Sequence, residues 1–429
     1  MHAVPPAVLA PFRVPAWRRV WAAGFVSQLG DWMQIFARAA LAYELTGNPS
    51  SVGVVYFASY LPQLLFSLYG GVLADRFDRR RLLLWCQAAQ LCFAIGLGFL
   101  VATGSATLLN VSVLSFLNGV AFMLNIPAAQ ALVPSVVPRS MLSEAITFGT
   151  ATNSVTRVLG PVLAALIAGR VGLEWIFWVN AVSFLAVIAA WIVTRVPEHP
   201  RLATSGNLDA IRAAVRYVRD DAAVWVPVAV STFIASVGIV YQPQIIPFAT
   251  EVLSDGVRSL GTDRAGWLQA AIGTGAAVGI LGLAGHGRRR PGAMLTGSAV
   301  AFSIALVLLG TTSSFAAALL LCFLMGAAQF ANMTLAISLV QHRVPELMRG
   351  RVMAIHMAGL IGFVPIVSLA GGVIADAAGI PAVLVGAGVA CLVFSLYALR
   401  WRDAVRRMGV EPEYPETIAA VGTVLEEEG

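Results

Sequence analysis

The feature that most constrains this chain is a train of apolar runs, each about 20 residues long, the length that crosses a bilayer core as a helix. Twelve such runs can be read from the sequence, at roughly 17–43, 50–74, 82–102, 106–132, 143–169, 174–194, 224–250, 264–285, 293–311, 314–340, 351–377 and 380–400. Inside hydrocarbon the backbone finds no water, so lipid-exposed runs of this length must satisfy their own hydrogen bonds as helices. Only 12% of the residues are charged, against about 25% in a soluble domain. The expected fold class is an all-α membrane protein of twelve transmembrane helices.

Arginine placement orients the chain. With the N-terminus inside, seven inner segments hold 23 Arg and the outer loops hold three, Arg170, Arg258 and Arg264. That asymmetry follows the positive-inside rule and predicts a cell-membrane protein with both termini cytoplasmic. It also removes the nucleic-acid reading of the +6 net charge, because the basic residues scatter along one membrane face. The chain contains no Lys, so it can have no P-loop lysine and no Schiff-base lysine. Cys86, Cys92, Cys322 and Cys391 lie in apolar runs without CxxC spacing, and no His pair has metal spacing. No Ser-His-Asp set is visible. No cofactor, metal site or enzyme is expected.

The runs divide six and six. Residues 1–16 form a cytoplasmic segment, 17–194 one half, 195–223 a linker, 224–401 a second half and 402–429 a polar tail. Leu208, Ile211, Val215 and Val218 recur at helical spacing in the linker, after Asn207 as an N-cap, which predicts an amphipathic helix at the inner interface. Phe116-Leu-Asn-Gly-Val-Ala121 returns as Phe323-Leu-Met-Gly-Ala-Ala328, an offset of 207 that also maps Asn125 onto Asn332 and Val137-Pro138 onto Val344-Pro345. Two parallel six-helix repeats are an architecture of secondary transporters.

Polar groups inside the spans are the positions that can carry chemistry. Asp31 lies near the middle of span 1, the one acid deep in any span. A charge there costs about 2.5 kcal/mol or more. Gly24, Ser27, Gln28, Asp31, Gln34 and Arg38 share one helical face and would line a central cavity. Burial favours the neutral acid and a nearby Arg favours the carboxylate. A carboxyl so balanced can bind and release a proton; it can also form a static pair with Arg38 or meet a cation directly. Arg157, before Gly160-Pro161 in span 5, could hold an anionic group, tune Asp31 or rest on carbonyls beside a kink. Asn118, Asn125, Gln242, Gln329, Asn332 and His356 are further cavity candidates, with interhelical hydrogen bonding as the plainer role. Tyr241-Gln-Pro-Gln-Ile-Ile-Pro247 is expected to interrupt span 7.

The stretch from Gly71 to Arg81 adds a motif between spans 2 and 3. Gly71, Asp75, Arg76, Arg79 and Arg80 resemble the loop 2–3 motif of the major facilitator superfamily, with Asp78 where that motif has Gly. Arg157-Val-Leu-Gly-Pro161 looks like the Gly-Pro antiporter motif of its drug-exporter branch. Gln28-Leu-Gly-Asp-Trp32 and Tyr43-Glu-Leu-Thr-Gly47 are similar to the enterobactin-exporter and macrolide-efflux group, drug:proton antiporters. The resemblance covers about residues 15–402 and implies the major facilitator fold. It implies an inner gate at the Gly71–Arg80 loop and a seal against leak at Gly160-Pro161. The expected activity is export of a drug-like or siderophore-like molecule by alternating access, in exchange for protons. Uptake or proton-independent movement of an organic solute or lysolipid is the alternative, and a non-transporting receptor or scaffold a remote one. The expected partners are a small-molecule substrate, protons and the bilayer, around a monomer.

Asp75 tests the gate. The resemblance implies that it faces the positive N-terminal end of span 11 at the inner gate, so Asp75→Asn should lower transport in vesicles several-fold while membrane insertion and thermal stability hold. Unchanged transport would reduce the loop to a topology signal.

Overall fold

The computed structural model describes residues 7–194, 208–286 and 291–401, with side chains undescribed at 7–8, 66–76, 208–211, 213, 284–286 and 347. Among the described residues the regular structure is helical. The first half comprises α1 (Pro15–Thr46), α2 (Pro49–Arg76), α3 (Arg79–Ala102), α4 (Leu108–Leu132), α5 (Leu142–Val171) and α6 (Glu174–Val193). A linker helix, α7 (Leu208–Asp220), leads to α8 (Ala222–Ser236), α9 (Tyr241–Glu251), α10 (Arg258–His286), α11 (Pro291–Thr311), α12 (Phe315–Arg343), α13 (Glu346–Gly362), α14 (Val364–Ala378) and α15 (Ile380–Ala398).

Ten helical stretches among the described residues are long and apolar enough to cross a membrane. They include α8–α9 together and α13–α14 together, each a span broken in the middle. α1 and α2 are 32 and 28 residues long and pack beside these ten.

The breaks follow from proline. Pro243 has no N–H for the Ile239 carbonyl, so the helical ladder fails just upstream. The span passes through a short 3-10 turn at Gly238–Val240, immediately before the Tyr241–Pro247 stretch that the sequence expects to interrupt the span and that is instead helical within α9. Gly238 makes room there for the Phe302 ring of α11. Span 11, read from the sequence as continuous, breaks at Phe363, and Pro365 sits in the first turn of α14.

The ends are set locally. Gly47 takes φ 72°, a left-handed C-cap on α1, and Pro49 opens α2 directly after it. Thr107 and Asn110 form a reciprocal capping box on α4. Asp78 is the N-cap of α3, accepting from the Arg81 N–H at 2.8 Å. That cap gives a local reason for an acid where the superfamily motif carries Gly.

The linker helix packs on the second half. Ala214 is buried with Val224, Val340, Val344 and Val352, while Val215 is half exposed. Asp221 caps α8 through Ala223 N–H and accepts from Arg343 Nε at 2.8 Å. Asn207 lies outside the described residues.

The halves meet along two seams, α2 with α14 and α5 with α10. Hydrogen bonds tie them at the end that the Arg pattern assigns outside. Tyr43 Oη donates to Glu251 Oε1 at 2.7 Å, Arg258 Nη1 to the Glu44 carbonyl at 3.2 Å, and Ser50 N–H to Asp376 Oδ1 at 3.1 Å. α2 packs along α14 and touches its inner neighbour α13 far less. The seam needs small residues. A Cβ on Gly53 would lie 2.6 Å from the Ser368 carbonyl, and one on Gly372 would lie 2.8 Å from Ser50 Cα.

Gly53→Val should therefore open this seam, at an overpacking cost of about 1–3 kcal/mol. Ser368 is fully buried. In a background free of native cysteines, Ser368→Cys should become reactive to a membrane-impermeant maleimide from outside once Gly53→Val is added. Equal protection with and without the valine would contradict the seam.

Candidate functional site

α1 is an apolar helix with one polar stripe, because Gln28, Asp31, Gln34 and Arg38 recur at three- and four-residue steps. A cavity of about 50 Å³ lies against the stripe. Asp31, Gln34 and Arg38 line it from α1; Tyr56, Tyr60 and Gln63 from α2; and Asn118 from α4. It has room for a few waters, so a bulky solute fits only when the helices part. Gly119 lets α4 approach α2, since a Cβ there would overlap the Ser59 carbonyl.

Asp31 and Arg38 influence one another electrostatically, but among the described residues no ion pair joins them. Two turns of helix hold them apart. Arg38 is only 6% exposed, and among the described residues its Nε and Nη1 have no hydrogen-bond partner. The rings of Tyr56 and Tyr60 stack on each other beside it, with centroids 6.0 Å apart.

Asn180 of α6, fully buried, stands behind the stripe. Its amide donates to Gln34 Oε1, and its Oδ1 accepts from Ser183 Oγ at 2.9 Å. It also acts on the Asp31 carboxyl. Gly30 makes this approach possible, because any Cβ there would overlap the Asn180 side chain.

Arg157 lies on the other side of α1. Its guanidinium sits between the rings of Trp32 and Phe330, 4.5 Å from each centroid. Phe330 belongs to α12, so this stack joins the two halves at mid-span. Trp32, Arg157, Pro161 and Gln242 border a second, smaller cavity. Gly160 is needed where Trp32 crosses, and a Cβ on Gly266 of α10 would meet Ala165 at 2.5 Å and the Pro161 carbonyl at 3.3 Å. Gly160-Pro161 thus sits at the α1–α5–α10 junction.

The remaining sequence candidates are spread. Asn125 accepts from Gln87 of α3 at 3.4 Å, and Asn332 donates to the Leu295 carbonyl of α11 at 2.8 Å. The two repeat mates therefore make matching links, span 4 to span 3 and span 10 to span 9. Gln329 accepts from Tyr241 Oη at 2.8 Å. His356 is fully buried in the α8–α13 seam, with its Nε2 2.7 Å from Ser231 Oγ. The Gln28 Oε1 is buried without a partner among the described residues. Of the loop motif, Arg80 donates to the Trp191 and Ile192 carbonyls at 2.8 and 3.0 Å, closing the C-terminus of α6. Arg79 is half-buried; the side chains of Gly71, Asp75 and Arg76 lie outside the described residues.

Tyr56, Tyr60, Gln63, Asn180, Trp32 and Phe330 were not singled out from the sequence. Tyr56, Tyr60 and Gln63 follow an i, i+4, i+7 spacing that marks one helix face. Asn180 is a lone amide in an apolar run, a weaker signal. Nothing in the sequence pairs Phe330 with Arg157.

The family model described as transmembrane secretion effector matches residues 6–416. The chain is 23% identical over 395 residues to the uncharacterized MFS-type transporter YfiS of Bacillus subtilis (strain 168), covering 87% of this chain and 90% of the relative. It is 25% identical over 343 residues to the enterobactin exporter EntS of Salmonella typhi, covering 79% and 80%. Two solved structures share the fold. The nucleoside transporter NupG superposes with a TM-score of 0.70 at 13% identity, over 93% of this chain and 100% of that one. A bacterial homolog of the human lysosomal transporter Spinster, inward-facing and unoccupied, gives 0.67 at 17% identity, over 92% and 98%. With these matches over almost its whole length, this multi-pass chain belongs to the transmembrane secretion effector family of major facilitator superfamily transporters.

Proposed function

We propose that this protein exports a small organic molecule by alternating access, in exchange for protons carried by Asp31. The observation that carries the reading is the place of Asp31: a membrane-embedded carboxyl on the wall of a cavity lined by α1, α2 and α4, beside an Arg38 whose Nε and Nη1 lack a partner among the described residues. A protonatable group there can meet each side in turn as the halves rock. The hydrogen bonds at the outer end belong to the state closed outward and open to the cytoplasm. Similarity to enterobactin exporters favours export and keeps siderophore-like substrates in view; drug-like ones fit the same reading.

In this reading the protein is a monomer in the cell membrane with both termini inside. Residues 17–194 and 224–401 move as two bodies. Gly71, Asp75, Arg76, Arg79 and Arg80 form the inner latch, and Arg157, Gly160 and Pro161 seal the α1–α5–α10 junction against leak. Gln28, Gln34, Asn118 and Gln242 lie nearest the substrate path, with Asn125, Gln329, Asn332 and His356 holding the walls.

A thermal-shift screen of purified protein over siderophores, macrolides and lipids would find a stabilising compound. Its accumulation is then followed in inverted vesicles energised with a proton gradient. Asp31→Asn should lower uphill accumulation about tenfold or more while downhill movement and thermal stability persist. If uphill transport survives the change, Asp31 is a structural residue of α1 and the proton exchange fails.

A further inference from the structure

The central region holds one acid and two bases. Asp31 and Arg38 line the main cavity, and Arg157 borders the smaller one that shares Ile35 and Tyr56 as a wall. With Asp31 ionised the set carries an uncompensated positive charge; with Asp31 protonated it carries two. An excess cation in a low-dielectric interior is costly until a counter-charge arrives.

The two guanidinium groups are not equivalent. Arg157 is seated between two rings, with only its Nε buried and unpartnered. Arg38 is the freer anchor: it is only 6% exposed, it lines the larger cavity, and among the described residues no aromatic ring sandwiches its guanidinium and its Nε and Nη1 have no hydrogen-bond partner. Buried guanidinium nitrogens ordinarily find acceptors, so a guanidinium left uncommitted beside a cavity is a docking point for a carboxylate or similar anion. Tyr56, Tyr60 and Phe122 supply aromatic wall around it.

We propose that the substrate is an organic anion with an aromatic or apolar body, its anionic group docking on Arg38. The proposal rests on reading this cavity as the transport site, and not on the proton step. An anion leaving a cell interior that is electrically negative runs down the membrane potential, so export can proceed whether or not Asp31 cycles a proton.

The test is equilibrium binding to the full chain in lipid nanodiscs, using 2-naphthoate and its uncharged isostere 2-naphthamide. Wild-type protein should bind the acid about tenfold tighter than the amide, the scale of a charge-assisted hydrogen-bond pair. Arg38→Gln should erase that preference by weakening the acid alone, and Arg38→Lys should restore part of it. Equal binding of acid and amide, or no saturable binding of the acid, overturns the anion site on the unmutated protein. A loss of both ligands alike in Arg38→Gln overturns the role of Arg38. Failure of the export reading would appear in the vesicle assay and leave the acid-over-amide preference standing.

Discussion

Hydrocarbon offers a polar group no partner, and the rest of this structure follows from that constraint. It forces the backbone into helices, and it makes every internal polar side chain depend on another part of the bundle. Several have found one: Asn332 reaches the backbone of α11, Gln329 meets Tyr241, and His356 meets Ser231. Among the described residues Arg38, Gln90 and Gln244 each keep two buried polar atoms without a partner, and of these three Arg38 carries the charge and lines the cavity. Asp31 and Arg38 sit on one face of α1, beside the cavity rather than in a sealed helix interface, and the role proposed for them rests on that placement.

Two kinds of helix contact then divide the labour. Inside the second half, α10 and α12 cross so closely that a Cβ on Gly275, Gly279 or Gly326 would overlap the facing backbone. Such small-residue crossings hold by dispersion and fix the halves as bodies. The seams between halves also use glycine, at Gly53, Gly266 and Gly372, but they end in polar contacts at the loops. Tyr43 with Glu251 and Ser50 with Asp376 are bonds that water can replace, so that end can open without exposing an unpaired group to lipid.

Much of this was legible in the residues. Run length announced a multi-span helical protein, as the family match bears out, and the 207-residue repeat suggested two related halves. The polar stripe of α1 was readable because helical periodicity is local. The partners of that stripe were not, because they arrive through tertiary packing: Asn180 comes from α6 through the gap at Gly30, and Phe330 comes from the other half. Asn125 and Asn332 show the converse. Their repeat relation was visible, but only packing reveals that both face the neighbouring span of their own half. The Pro365 break was missed because hydropathy continues across it and only the ladder is interrupted.

The central claim is that the halves exchange access around Asp31. It is tested most directly by spin-label distances, in a cysteine-free background, between Thr103 and Ser313 at one end and Ser140 and Gln341 at the other. Lowering the pH from about 8 to about 5, across the range of a buried carboxyl, should lengthen one pair while the other shortens. Asp31→Asn should hold one of the two distributions at both pH values. Distances that stay fixed, or that shift together with Asp31 replaced, would contradict the claim.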